Sequence, residues 1–260
     1  MKIRSVVEEI EKENIFYIDE FCVVINGDCK EVLPKLSTKT NPSLIVTDPP
    51  YEFQSVGGGL YKDSKNMREI SVAETDSFDF DQYIYGILDW QSRMVKLNKP
   101  ELDLYVNAYF FCNKDLLFKY LFLVQNKKYI FDLLVMKKRR YIPAHNNHYD
   151  PDLEYVVFIK SGKPVFNSTS SMWDGVYSKL YEYDPPEREN VLHPNQKPIG
   201  ILKKFIEVSS LPGDLIIDPF AGSSQTLVAA RQLGRYAIGI EKNPEFAVRS
   251  AANLSQLSLL

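Results

Sequence analysis

Only three cysteines occur in this chain, Cys22, Cys29 and Cys112, and an odd number so widely spaced excludes both a disulfide framework and a zinc ribbon, leaving reduced thiols. Histidine is equally scarce. Two of its three copies, His145 and His148, have the spacing of one helix face, but Pro143, Asn146, Asn147 and Pro151 make that segment a loop with no third ligand in view. No metal site is expected. No apolar run approaches the roughly 18 residues of a membrane span, and the start, Met1-Lys2-Ile3-Arg4-Ser5-Val6-Val7-Glu8-Glu9, has acids where an export signal needs apolar residues. The expected location is the cytoplasm. Internal repeats and low-complexity tracts are also missing.

A large excess of either charge is missing too: the formal net charge is −3, so there is no global signal for a nucleic-acid partner. The distribution is uneven, however. From Phe111 to Lys163 ten Lys/Arg stand against five Asp/Glu, with Lys137-Lys138-Arg139-Arg140 holding much of the surplus. Such a run is either a solvated strand end or a contact for phosphate, and both readings stay open.

What the chain does have is alternation. With 260 residues, 45% hydrophobic and 25% charged, it is long enough for one large α/β core, and a single domain spanning 1–260 is expected. Apolar strand patterns (21–26, 43–47, 102–111, 129–136, 153–159, 214–217, 236–240) alternate with helical ones (30–36, 80–97, 114–125, 197–209, 223–233, 244–256), which predicts an α/β doubly wound, mostly parallel sheet. No helical pattern separates 129–136 from 153–159, so these two are expected to pair antiparallel at a sheet edge. Residues 161–192 read as irregular, with aromatics at Trp173, Tyr177, Tyr181 and Tyr183, and residues 3–13 as a helix outside the alternating core.

Two strand ends carry the chemistry. The apolar run 43–47 delivers Asp48-Pro49-Pro50-Tyr51, and the run at Leu215-Ile216-Ile217 delivers Asp218-Pro219-Phe220-Ala221-Gly222. In an open parallel sheet ligands bind beyond the carboxyl ends of the strands, so the two loops should lie side by side, one for a cofactor and one for a substrate.

The second loop enters a helix through one glycine and two hydroxyls, Gly222-Ser223-Ser224, where a dinucleotide pyrophosphate needs a fuller glycine pattern. A nucleoside without a phosphate linker suits it better. Glu241 ends the next strand, where an acidic side chain accepts ribose hydroxyl hydrogens, and the set fits S-adenosylmethionine. The plainer reading makes the loop structural and Glu241 a partner of Lys242 or a helix cap.

In the first loop two prolines remove N–H groups, leaving the Asp48 carboxylate and the Pro49 carbonyl as acceptors for the two hydrogens of an exocyclic amino group. Accepting them frees the nitrogen lone pair to attack an electrophilic methyl, while Tyr51 can stack on the base. Asp184-Pro185-Pro186 is an internal control: it follows no apolar strand and lacks the aromatic fourth residue, so it reads as a turn.

At these residues the chain resembles the amino-methyltransferases of DNA, in the permuted β group whose catalytic tetrapeptide precedes the cofactor loop. The likeness runs from about Ile25 to Glu245. Asn26-Gly27-Asp28-Cys29 is similar to the segment before the family's catalytic strand, His193-Pro194-Asn195-Gln196-Lys197-Pro198 to its helix-opening signature, and Glu154 with Val156-Val157-Phe158 to the strand after its central loop. The resemblance implies a Rossmann-like fold of the S-adenosylmethionine-dependent type, with a catalytic half at 20–160, a short connecting segment at 161–192 and a cofactor half at 193–257. It further implies methyl transfer to adenine N6 of a flipped DNA base, with Asp48, Pro49, Pro50 and Tyr51 catalytic. Phe220 would lie over the cofactor's adenine, with Asp28 and Cys29 beside it, Glu241 on the ribose, and Asp218 with Ala221 to Ser224 around the methionine moiety. Gln196 and Lys197 would hold the methionine carboxylate at a helix start. Cytosine N4 is the alternative target, and a silent nucleic-acid-binding module the alternative from another class. A restriction partner and a homodimer are also within the family's range. Departures are Met136-Lys137-Lys138 in place of a Trp-x-Lys, and the shortness of 161–192 where the family inserts recognition segments.

Overall fold

The computed structural model describes residues 3–50, 79–126, 129–141, 149–150, 152–167, 178–184 and 196–257. Among them nine strands form one sheet: β1 (Ile15–Ile18), β2 (Cys22–Asn26), β3 (Pro42–Thr47), β4 (Val106–Cys112), β5 (Ile130–Lys138), β6 (Leu153–Ser161), β7 (Leu180–Tyr183), β8 (Leu215–Asp218) and β9 (Tyr236–Glu241). Their order is β1-β2-β9-β8-β3-β4-β6-β5-β7, with β1 and β6 running against the other seven. This is the mostly parallel, Rossmann-like sheet expected, with β1 as its antiparallel edge.

The central strands are apolar on both faces because both faces are covered by helices. Every residue of β4 and β8 is buried. Successive side chains go to opposite cores, as the two-residue strand period requires. Ile25, Ile45, Phe110, Ile217 and Ile240 join one core with α1 (Cys29–Val32), α2 (Gly86–Asn98) and α3 (Lys114–Asn126). Val24, Val46, Phe111, Ile216 and Ala237 join the other with α4 (Ile199–Ser209), α5 (Gln225–Gln232) and α6 (Pro244–Leu257). In the second core Tyr109 stacks between Phe158 and Phe205 at centroid distances of 4.2 and 4.4 Å.

From β3 the chain moves to β4 on one side, and from β8 it moves to β9 on the other, so the order reverses between β3 and β8. That reversal opens the crevice at the strand ends where ligands bind. Thr47, Asp48 and Asp218 are at its mouth.

Several local expectations change. Residues 3–13 form no helix outside the core: a 3-10 turn at Ile3–Val6 buries Ile3 and Val6, Val7 and Ile10 are buried in the bend after it, and a second 3-10 turn at Lys12–Asn14 leads into β1. The 129–136 and 153–159 segments do pair antiparallel, but not at the edge, because β7 comes out of the segment read as irregular and lines up parallel to β5. The helix expected at 30–36 is four residues of α1 and then a 3-10 turn containing Pro34, which cannot donate to a continuing helix. A π-helical turn, Asp81–Tyr85, precedes α2. Tyr51, the glycines at 57–59, His145, His148, Trp173, Tyr177, Pro185, Pro186 and 193–195 lie outside the described residues. No helix among the described residues is long and apolar enough to cross a membrane.

Gly239, in the middle of β9, sets how closely the Asp218 loop can approach the sheet. A Cβ there would come 2.9 Å from the Ala221 Cβ and 2.9 Å from Leu227 Cδ1. The leucine tip can move, but Ala221 moves only with its loop. Gly239→Ala is therefore expected to cost about 1–3 kcal/mol by overpacking, read from denaturant midpoints, and wild-type stability in that variant would show the loop to be compliant.

Candidate functional site

The substrate-type loop leaves β3 at Thr47. Asp48, with its side chain 19% exposed, meets the ammonium of Lys197 at 2.9 Å through Oδ2, and Pro49 behind it is buried. Lys197, only 8% exposed, lies just ahead of α4 and also comes 3.6 Å from Glu154 Oε2 on β6. Its Nζ is 5.3 Å from the centre of the Phe111 ring. Burial alone would lower the lysine's pKa, but Asp48 and Glu154 outweigh it and raise it. Burial likewise pushes Glu154 up, yet the ammoniums of Lys197 and Lys138 hold it below the ordinary carboxylate range. Lys138 reaches Glu154 Oε1 at 2.7 Å.

The cofactor-type loop leaves β8 at Asp218, whose carboxylate accepts from Thr47 Oγ1 at 2.7 Å and from the Phe220 N–H at 3.2 Å. Burial pushes Asp218 up to about 6, against the pull of these donors and of the Thr226 hydroxyl. The turn that follows is fixed by backbone geometry. Gly222 and Ser224 both adopt positive φ, +50° and +57°, where glycine is at ease and serine is unusual. Ser224 N–H donates to the Ala221 carbonyl at 2.7 Å, and its hydroxyl meets that of Ser250 in the core. Ser223 and Ala221 are buried beside it.

Glu241 does not stand apart as a surface acid. Its carboxylate accepts the Gly222 N–H and the Asn243 N–H, each at 2.8 Å, so it ties the cofactor-type loop to the end of β9. Lys242, its partner in the plainer reading, has its ammonium 3.2 Å from Asp28. Asp28 also caps α1 through the Lys30 N–H at 3.0 Å and accepts from the Tyr83 hydroxyl at 2.7 Å. Burial works to raise the Asp28 carboxyl, and these donors bring it below its ordinary value.

A cleft open to solvent joins the two loops. Thr47, Asp48, Gln196, Lys197, Asp218, Phe220, Ala221, Gly222 and Ser223 line it, so residues far apart in sequence converge as expected. Phe111, Leu202, Gln225 and Thr226 also line it and were not singled out in the sequence, where their apolar or helical settings gave no distinguishing signal. Glu241 and Ser224 stand behind the lining. Cys29 is buried in the core on the α1 side and does not face the cleft. Tyr83, on the π-helical turn, was also missed: its ring is 5.8 Å from Phe220 and carries Lys30 at 4.4 Å, so it walls the Asp28 side of the site.

The basic run is largely paired within the chain. Lys137 faces Glu182 at 3.4 Å, and Arg139 and Arg140 face Asp184 at 3.5 and 3.3 Å. Asp184, from the control triplet, thus belongs to the β5–β7 rim and not to the cleft.

A family model described as DNA methylase, of the N6/N4 type, matches residues 43–252. The chain is 24% identical over 220 residues to the type II methyltransferase M.HpaI of Haemophilus parainfluenzae, covering 78% of this chain and 65% of that one. It is 29% identical over 250 residues to the DNA adenine methyltransferase YhdJ of Escherichia coli K12, covering 88% and 81%. The chain thus spans about two-thirds of one curated relative's length and four-fifths of the other's. In fold it is similar to the M1.HpyAVI–SAM complex, at a TM-score of 0.61 and 21% identity over 90% of this chain and 98% of that one.

Asp218 gives this site a testable signature. A carboxyl whose pKa is raised by folding adds most stability below its ordinary value near 4, and loses it as pH rises through about 6. Asp218→Asn should therefore melt higher than wild type at pH 7–8, with the gap closing toward pH 4. An equal gap at every pH would mean that burial of this charge is not what the substitution relieves.

Proposed function

The chain belongs to the N6/N4 DNA methylase family, and on that footing we propose that it transfers a methyl from S-adenosylmethionine to the exocyclic amino group of adenine in DNA. The observation that carries this reading is the meeting of two strand-end aspartates on one cleft, with Thr47 of one loop donating 2.7 Å to Asp218 of the other.

S-adenosylmethionine is the cofactor of the family, and the residues present fit it. The turn has no multiple-glycine cradle for phosphate; Phe220 offers a ring face to the cleft, and the Asp218 carboxylate beside it offers an acceptor for amine or hydroxyl hydrogens. Asp218, pushed up by burial, would be relieved by an ammonium group such as an amino acid carries. When bound, the cofactor supplies a methyl on a sulfonium sulfur that departs as a neutral thioether.

The protein's own part is orientation. A base inside a duplex cannot reach Asp48, so it must be flipped into the cleft. Asp48 and the Pro49 carbonyl then accept the two amine hydrogens, turning the nitrogen lone pair toward the methyl; the nitrogen gains the carbon, the sulfur keeps the electron pair of the broken bond, and one amine proton passes to water at the open mouth of the cleft. Pro50 stiffens the turn, and we assign Tyr51 to stacking on the flipped base. Asp at the first position of the tetrapeptide, with the similarity to an adenine methyltransferase, supports adenine over cytosine N4. The wider proposal has the catalytic half preceding the cofactor half, DNA in the cytoplasm as substrate, a type II modification role, and a homodimer.

Incubation with labelled S-adenosylmethionine and DNA, followed by digestion to nucleosides, should yield N6-methyladenine. N4-methylcytosine would reassign the base, and no labelled nucleoside would remove the activity.

Asp48→Ala should lower turnover on the order of 100- to 1000-fold, as loss of one preorganised acceptor does, with cofactor affinity changed little. Asp184→Ala, which removes only exposed ion pairs, should be nearly silent. The reverse pattern would put the chemistry on the wrong loop. Phe220→Ala should weaken cofactor binding by about 1–3 kcal/mol in calorimetric titration; an unchanged affinity would move the adenine elsewhere.

A further inference from the structure

We propose that Lys197 is a positioning residue for the substrate loop, orienting the Asp48 carboxylate, and not the anchor of the cofactor's carboxylate. The two Asp-Pro loops differ in one donor. In the cofactor-type loop the residue two beyond the aspartate is Phe220, and its N–H donates to Asp218 at 3.2 Å. In the substrate loop the corresponding residue is Pro50, which has no N–H, and neither has Pro49. The turn that holds Asp218 from within cannot hold Asp48 that way. Lys197 supplies a donor from outside, 2.9 Å from Asp48 Oδ2.

The ammonium is committed to this task by its surroundings. It is buried, so it must be matched by anions, and Asp48 and Glu154 both approach it. Glu154 is in turn steadied by Lys138 at 2.7 Å. Lys138, Glu154, Lys197 and Asp48 thus form a row of alternating charges from the β5 rim to the cleft, two of each sign. A cofactor carboxylate on Lys197 would add a third anion to that balanced row. The other groups near this row are the Cys112 thiol and Phe111 ring of β4 beside Lys197 and, toward Asp48, the Tyr120 hydroxyl of α3, the Tyr183 hydroxyl of β7 and Asp218 of β8. This inference rests on the reading of Asp48 as the amine acceptor.

The test compares Lys197→Met, Lys197→Arg and Glu154→Gln with wild type, by calorimetric titration of S-adenosylmethionine and by methylation rates at saturating cofactor from pH 5 to 8.5. Lys197→Met should lose tenfold or more in kcat while cofactor Kd changes less than threefold. Its acid limb should move to higher pH, because Asp48 loses its neighbouring cation, and Lys197→Arg should recover part of the rate. Glu154→Gln removes an anion from the row and should move the acid limb the opposite way, which damage to the fold would not do. A tenfold loss of cofactor affinity in Lys197→Met with kcat intact, or acid limbs unmoved in both charge variants, overturns the proposal. If wild type methylates no DNA, the functional reading fails, and the calorimetric arm still decides whether Lys197 holds the cofactor.

Discussion

The hydrogen bond from Thr47 to Asp218 joins the ends of β3 and β8, and the rest of the site depends on that adjacency. It is buried, and it lies where the strand order turns back on itself. Because β3 feeds a crossover to one side and β8 a crossover to the other, a crevice opens between their ends. A buried carboxylate is costly unless donors meet it. Here Thr47 and the Phe220 N–H meet Asp218, and each donor fixes one wall of the cleft: the end of β3 and the aromatic turn.

Rigidity of the Asp218 loop comes from backbone shape as much as from charge. A serine at positive φ is an uncommon conformation, and Ser224 is held there by its bond to Ala221, by the first turn of α5, and by Ser250 from α6. Glu241 adds a cross-strand tie by accepting the Gly222 N–H. The loop therefore gets its form from two neighbouring strands and two helices, and Gly239 makes room for it against the sheet. Pro49 and Pro50, in the other loop, have no backbone hydrogen to give to such a frame.

The central strands and both Asp-Pro loops were legible in the sequence because parallel strands buried on both faces are continuous apolar runs and end abruptly in polar turns. Edge elements were not. β7 buries only Tyr183, so Leu180-Tyr181-Glu182-Tyr183 has no apolar run to announce it, and it exists by pairing with β5. The amino-terminal segment looks like an amphipathic helix by spacing, yet its apolar residues are buried through 3-10 turns whose backbone is fixed partly by Ser37 reaching Val6. Tyr83 was hidden for a different reason: in an amphipathic pattern it is one more core aromatic, and only the turn's geometry aims its hydroxyl at Asp28. Charge pairing is still less visible. Nothing local says that Arg139 and Arg140 meet Asp184, some forty positions later, and so lose much of the surplus charge read from their run.

The two Asp-Pro-Pro triplets show what context adds to a motif. Asp184 lies at a strand edge with its side chain 48% exposed, against arginines that are more exposed still, so water screens the pairing and either partner is worth little. Asp48 has the same two neighbours in sequence, yet it ends a buried strand and meets an ammonium that is 8% exposed. In that setting the pairing is screened far less and the geometry of both charges is constrained by packing. The triplet contributes the loss of backbone donors in both places. Only where the surroundings exclude water does that loss leave an acceptor whose direction the protein, and not the solvent, decides.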